Sequence, residues 1–275
     1  MIKGLALTGE GLSRLTRARV VWPVVGIGVG VAVVWLNFLS IDATNARAAA
    51  NAWDLVLMLQ NNGFVLVFVL LIPFSLAVGR LLHEDDAMGY KSAVCLRLGQ
   101  RAGWVYPTSM AAVMLCTAVC WAIVEGGAWV AVGWVALGHP GPTWSAFATS
   151  HSVYWLVPPK VLLTSPVRAV LFSLLSNSWA MFAVTCLAAG VGQWINAAYG
   201  TVATAVLMGV LSLWISHGTT GLLWSPIASG LWMLHGPAPL TPSLPPDWSW
   251  IYLSGLALAG TGLMVIRHVT LETWS

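Results

Sequence analysis

The sequence predicts an all-α integral membrane protein with six transmembrane helices. It adds an N-terminal interfacial amphipathic helix and re-entrant or surface helices on the external side. Three observations carry the prediction. The 275 residues are 58% hydrophobic and only 8% charged, against roughly 25% charged in a soluble domain. The apolar runs reach the length of about 20 residues that a spanning helix needs. A third of the charged side chains, namely Arg80, Glu84, Asp85, Asp86, Lys91, Arg97 and Arg101, fall within residues 80–103. Backbone in lipid is stable only when it bonds to itself, so each apolar run reads as a helix, and the charged stretch reads as a water-exposed loop between two of them. The chain forms a single transmembrane domain over residues 1–275.

Residues 1–19 open the chain. On a helical wheel Ile2, Leu5, Leu12 and Leu15 share one side, and Lys3, Glu10, Arg14 and Arg17 the other. This pattern suits a basic helix lying in the membrane interface. The first span covers residues 20–40, with Trp22 and Trp35 toward its two ends at headgroup level. Residues 41–62 are expected outside, with a short surface helix over 46–52. The second span covers 63–82, and Pro73 near its middle removes a backbone donor and should kink it.

In the 80–103 loop, Asp85 or Asp86 is expected to cap a short helix running to about Leu98. The acidic trio would then sit at a helix start and Arg97 and Arg101 at its end, as the helix dipole favours. The third span is expected over 104–124, ended by Glu125-Gly126-Gly127, with 128–137 extending it or re-entering the outer leaflet. Glu125 is the one acid in an apolar run. It is either a polar site at membrane depth, which is costly and functional by default, or a residue at the outer headgroup level where the glycines end the helix.

Residues 138–166 read as a proline-rich external loop. The fourth and fifth spans cover about 167–191 and 201–217, joined by the uncharged turn 190–200. Residues 218–249 carry six prolines and read as an external re-entrant segment. The last span is 250–267. Arg14, Arg17, Arg19, Arg80, Lys91, Arg97, Arg101 and Arg267 would face one side, against Arg47, Lys160 and Arg168 on the other. That asymmetry places both termini in the cytoplasm.

Several chemistries are not indicated. There is no G-x-x-x-x-G-K-[ST] phosphate loop and no H-E-x-x-H. His83, Glu84, Asp85 and Asp86 are consecutive and cannot share one helical face. The four cysteines form no CxxC or Cys/His cluster, and read as small packing residues rather than disulfides or a zinc site. No basic stripe exists that could neutralise a phosphate track, so nucleic acid is not expected as a partner.

The order of parts resembles the permease subunit of type-2 ABC exporters. The resemblance rests on the basic N-terminal helix, the charged loop with Glu84 and Gly89, the Arg before span three (Arg97 or Arg101), the short turn running from Leu187 through Gln193 to Ala203, and the broken segment before the last span. It covers nearly the whole chain. Where many relatives carry Ser-Arg in the loop, Gln100-Arg101 stands here.

The resemblance implies a homo- or heterodimer of permease subunits in a bacterial plasma membrane. Each would dock a separate ATP-binding cassette subunit that binds the ATP and Mg, this chain holding no cofactor, no metal and no catalytic residue. Glu84, Asp85, Asp86, Lys91, Arg97 and Arg101 would be the coupling surface. The nearly uncharged spans suit outward movement of an amphipathic, lipid-like or peptide substrate. Two readings stand beside it. One is a non-transporting scaffold subunit of a larger membrane complex. The other is an intramembrane enzyme using Glu125 or the His83–Asp86 cluster.

Overall fold

A computed structural model describes residues 2–15, 18–45, 47, 49–89, 93–94, 96, 99–138, 141–149, 165–215, 224–231 and 246–272, and no strand occurs among them. The helices are α1 (Ile2–Leu15), α2 (Ala18–Asn45), α3 (Ala52–Gln60), a π-helical segment (Val65–Leu71) leading into α4 (Ile72–Ala87), α5 (Ala102–Leu137), α6 (Ala146–Thr149), α7 (Pro166–Ile195), α8 (Ala197–Ile215), α9 (Pro226–Gly230) and α10 (Pro246–Glu272). Six stretches are long and apolar enough to cross a membrane: Pro23–Asn45, Val65–Ala87, Ala102–Leu137, Pro166–Ile195, Ala197–Trp214 and Trp248–Thr270.

Helix α7 is the centre of the bundle. It packs on α3, α4, α5, α8, α9 and α10. Small residues make this possible, because without a hydrophobic drive between helices in lipid, close backbone approach supplies the attraction. A Cβ on Gly190 of α7 would lie 2.5 Å from the Gly260 carbonyl oxygen of α10. Helix α2 is the outlier. About a fifth of its spanning window is buried, and Val33, Val34, Phe38 and Ile41 point outward.

The turn between α7 and α8 is as short as the sequence suggests. Asn196 alone separates the two helices, and its Oδ1 accepts from the N–H groups of Ala198 and Tyr199 at 3.1 Å each. That capping satisfies the first free donors of α8.

Three expectations are corrected and one is refined. The surface helix expected over 46–52 is not formed by the described residues 47 and 49–51. Arg47 is a turn residue with φ of 52°, and the helix comes later, as α3. Nearly all of α3 is buried, against α5 and α7, so residues 52–60 belong to the bundle rather than to an exposed loop. Apolar content decides this: AWDLVLMLQ gains more from burial than from water.

Second, Pro73 does lie inside one continuous helical run, Val65–Ala87, and the run makes room for it by changing helix type just before it. The seven residues before α4 widen into a π-helix, in which the Ile72 N–H reaches back to the Val67 carbonyl. This relieves the clash that a proline ring makes in a regular helix.

Third, the loop helix is present at the described residues Ala93, Val94 and Leu96, but Asp85 and Asp86 are not its caps. Helix α4 continues through them to Ala87, and Gly89, at φ of 67°, turns the chain away. The acids therefore stand at the end of a helix, where its dipole repels them.

Fourth, Glu125-Gly126-Gly127 ends nothing. Helix α5 runs unbroken for 36 residues. Its glycines serve close packing, since a Cβ on Gly126 would lie 2.9 Å from Leu174 and one on Gly133 would lie 2.9 Å from the Ala52 backbone. Glycine is tolerated inside a spanning helix because no water competes for the backbone.

Candidate functional site

Two polar constellations stand out in an otherwise apolar bundle. The first gathers the end of α4, the start of α5, α1 and the end of α10. Asp85 is 2% exposed. One of its oxygens pairs with Arg14 Nη1 of α1, and the other accepts from the Tyr106 hydroxyl of α5 at 2.8 Å. Arg14 Nη2 donates to Glu84 at 3.0 Å, and Glu84 also takes Arg80 Nε at 2.8 Å. The Tyr106 ring meets His268 of α10 edge-on, with centroids 5.1 Å apart.

The physical logic is compensation. Three acids at a helix C-terminus repel the dipole, and a buried carboxylate needs a partner with good geometry. Arg14 supplies a forked, permanently charged partner for two of the three acids at once. Helix α1 is thereby fastened to α4, while Gly11 and Leu15 bury against the bundle. A Cβ on Gly11 would lie 3.0 Å from Val113. A cavity of about 20 Å³ beside the pair, bordered by Glu10, Ser109 and Met110, has room for one water.

The expected coupling residues therefore divide. Asp85 is buried and Glu84 partly so, both committed to Arg14. Asp86 and Arg101 are exposed. Lys91 and Arg97 lie outside the described residues. Arg14 and Tyr106 were missed as members of this site. Nothing in their spacing signals a partner 71 and 21 positions away.

The second constellation lies on α5. Glu125 is fully buried, 12 residues short of the end of α5, about 18 Å along the axis. It faces α2 at Gly28, where any Cβ would overlap the carboxyl group. One turn further, Trp129 Nε1 donates to the Gly28 carbonyl at 3.1 Å. Neither carboxyl oxygen has a hydrogen-bond partner among the described residues. The same holds for both side-chain polar atoms of Gln60 and for Asn177 Oδ1, while Asn177 Nδ2 bonds the Gln60 carbonyl at 2.9 Å. The expectation that the helix ends at Glu125 is corrected. The residue sits inside a continuous helix, under a neighbouring one. No group of three or more His, Cys, Asp or Glu able to hold a metal occurs among the described residues.

At the far end, Asp54 is structural. It closes a capping box with Asn51 and accepts from Ser145 at 2.9 Å, tying α3 to the segment before α6. Burial pushes its pKa up to about 6, against the opposing pull of the Asn51 N–H and the Ser145 hydroxyl. The protonated form is thus favoured by the fold. Its stabilising contribution is full below about pH 4 and is lost as pH rises to about 6, by roughly 2–3 kcal/mol. Thermal unfolding in detergent should show that decline between pH 4 and 6, and Asp54→Asn should flatten it.

These features define a class: a helical integral membrane protein with six candidate spans, a helix strapped across one end, and a buried acid in an outer seam. No family model matches the chain, and no curated protein or solved structure matches it either.

Proposed function

We propose that this chain is the membrane-spanning subunit of an ABC-type exporter, driven by a separate ATP-binding subunit and moving an amphipathic, lipid-like or peptide substrate outward. The observation that carries the reading is the Arg14 clamp. It joins α1 to the last turn of α4, just before the charged 89–101 segment, which ties the N-terminal helix to the end of span two. Such a tie suits a mechanism in which an ATPase pushes from the cytoplasmic side. The absence of a phosphate loop in the sequence agrees with a division of labour between two chains.

Within this reading the docking contacts come from the exposed members, Asp86 and Arg101. Glu84 and Asp85 act behind them, holding the end of α4 to α1. The dimer, the cytoplasmic termini and the bacterial plasma membrane follow from the same reading.

The test is co-purification with native partners. An ATP-binding subunit should accompany the native chain, and Asp86→Ala with Arg101→Ala should release it without loss of the folded permease. A stable native complex that contains no ATPase would defeat the reading and leave the scaffold role in its place.

A further inference from the structure

A carboxyl group buried in apolar surroundings must either meet a cation, accept hydrogen bonds, or carry a proton. Glu125 has neither of the first two among the described residues. The neighbouring elements offer no counter-charge. Helix α2 has no ionisable side chain between Arg19 and Asp42. On α3 the sole ionisable group, Asp54, is held by Asn51 and Ser145. Helix α7 has none between Arg168 and Cys186, and the Cys186 thiol faces Met114. On α10 the ionisable residues are Asp247 at its start, Tyr252, which bonds the Trp224 carbonyl, and Arg267, His268 and Glu272 toward its end. Glu10 and Arg14 of α1 lie near Tyr106 and Val113, and α4 carries its charges in its last two turns. On α5 itself the others are Tyr106, bound to Asp85, and Cys116 and Cys120, which are exposed.

The cover over this carboxyl is thin. Helix α2 is the least buried of the six spans, and at this point it presents only the glycine backbone. Lifting α2 here would break the Trp129 Nε1 hydrogen bond to the Gly28 carbonyl and admit water to Glu125.

We infer that Glu125 is a proton-binding site in the α2–α5 seam. The carboxyl holds one proton while Gly28 lies on it, and releases that proton to water when α2 lifts away. The O–H bond is the one bond broken, and a carboxylate and a hydronium ion are the products. Proton occupancy and the position of α2 are then linked, because the ionised group is tolerated only in the open seam. This inference does not depend on the exporter reading, and its test involves no ATPase.

The probe is N,N′-dicyclohexylcarbodiimide, an apolar reagent that adds to a protonated carboxyl in an apolar site. The proton passes to a carbodiimide nitrogen and the carboxyl oxygen bonds to the central carbon. Rearrangement then leaves an N-acylurea with the mass of one added carbodiimide. The protein is labelled in neutral-lipid vesicles from acid to alkaline pH and mapped by peptide mass spectrometry. We expect an adduct at Glu125 that falls at least about tenfold across the series, as the proton is lost. Glu125→Gln should carry none.

Gly28→Ala props the seam open with a methyl group, so labelling at acid pH should exceed that of the native chain. Amide exchange of α2 around Gly28, compared with Glu125→Gln at each pH, should rise with pH in the native protein alone. Absence of a pH-dependent Glu125 adduct in both the native chain and Gly28→Ala overturns the inference. So does an α2 exchange profile that Glu125→Gln leaves unchanged.

Discussion

Replacing Gly260 with alanine should lower stability more than any other single methyl added to the bundle. The α7–α10 pair is its most extensive helix contact, and it is built on reciprocal glycines. A Cβ on Gly190 would lie 2.5 Å from the Gly260 carbonyl oxygen, and a Cβ on Gly260 would overlap the Cys186 backbone. Both obstacles are main chain, which cannot rotate aside as a side-chain tip can. Overpacking of this kind costs about 1–3 kcal/mol and sometimes more, and we expect Gly260→Ala to reach the upper end. Gly260→Leu should leave no monodisperse protein.

The control lies on the same helix. Gly255 and Gly262 have open space where a Cβ would go, so alanine there should be nearly neutral. Thermal unfolding of the detergent-solubilised variants, read by size-exclusion chromatography after heating, makes the comparison. Equal losses at Gly260 and Gly255 would show that the loss does not come from the α7–α10 backbone contact, since alanine raises helix propensity at both positions.

The second large effect is expected at Arg14. Removing it leaves Asp85, 2% exposed, without its counter-charge and with the Tyr106 hydroxyl as its remaining hydrogen-bond donor among the described residues of α4 and α5. Breaking one side of a buried ion pair costs about 3–5 kcal/mol. Arg14 retains 16% exposure, so we expect Arg14→Ala near the low end, about 3 kcal/mol. The loss should appear first as release of α1, seen as faster amide exchange over residues 8–15, before the bundle melts.

Asp85→Asn in the same chain should recover much of the loss, because a neutral amide no longer strands a charge. It can still accept from Tyr106. Without that rescue the effect of Arg14 would have to be assigned to its aliphatic stem. Tyr106→Phe is the lesser lesion, one hydrogen bond to a charged group, worth about 1.5–3 kcal/mol.

Much of the architecture is legible in composition and run length. The six spans, the basic N-terminal helix, the tight α7–α8 turn at Asn196 and the charge-rich connection after Arg80 follow from one rule. An apolar run that must satisfy its own backbone in lipid becomes a helix, and charge collects where the helices leave it. These properties are local, so the order of residues along the chain determined them.

The tertiary structure decided the rest. Glu125-Gly126-Gly127 has the local character of a helix end, yet Leu174 and Gln60 close over Gly126 and the helix continues. The acids at 84–86 look like a helix start, yet α4 runs through them because Arg14, 71 positions earlier than Asp85, offsets their charge. Whether α3 lies on the surface or inside depended on how α5 and α7 accept it. In each case the deciding partner is distant in sequence. Periodicity records which face of a helix is apolar, but pairing across the bundle is set by which backbones can approach and which buried charges can meet.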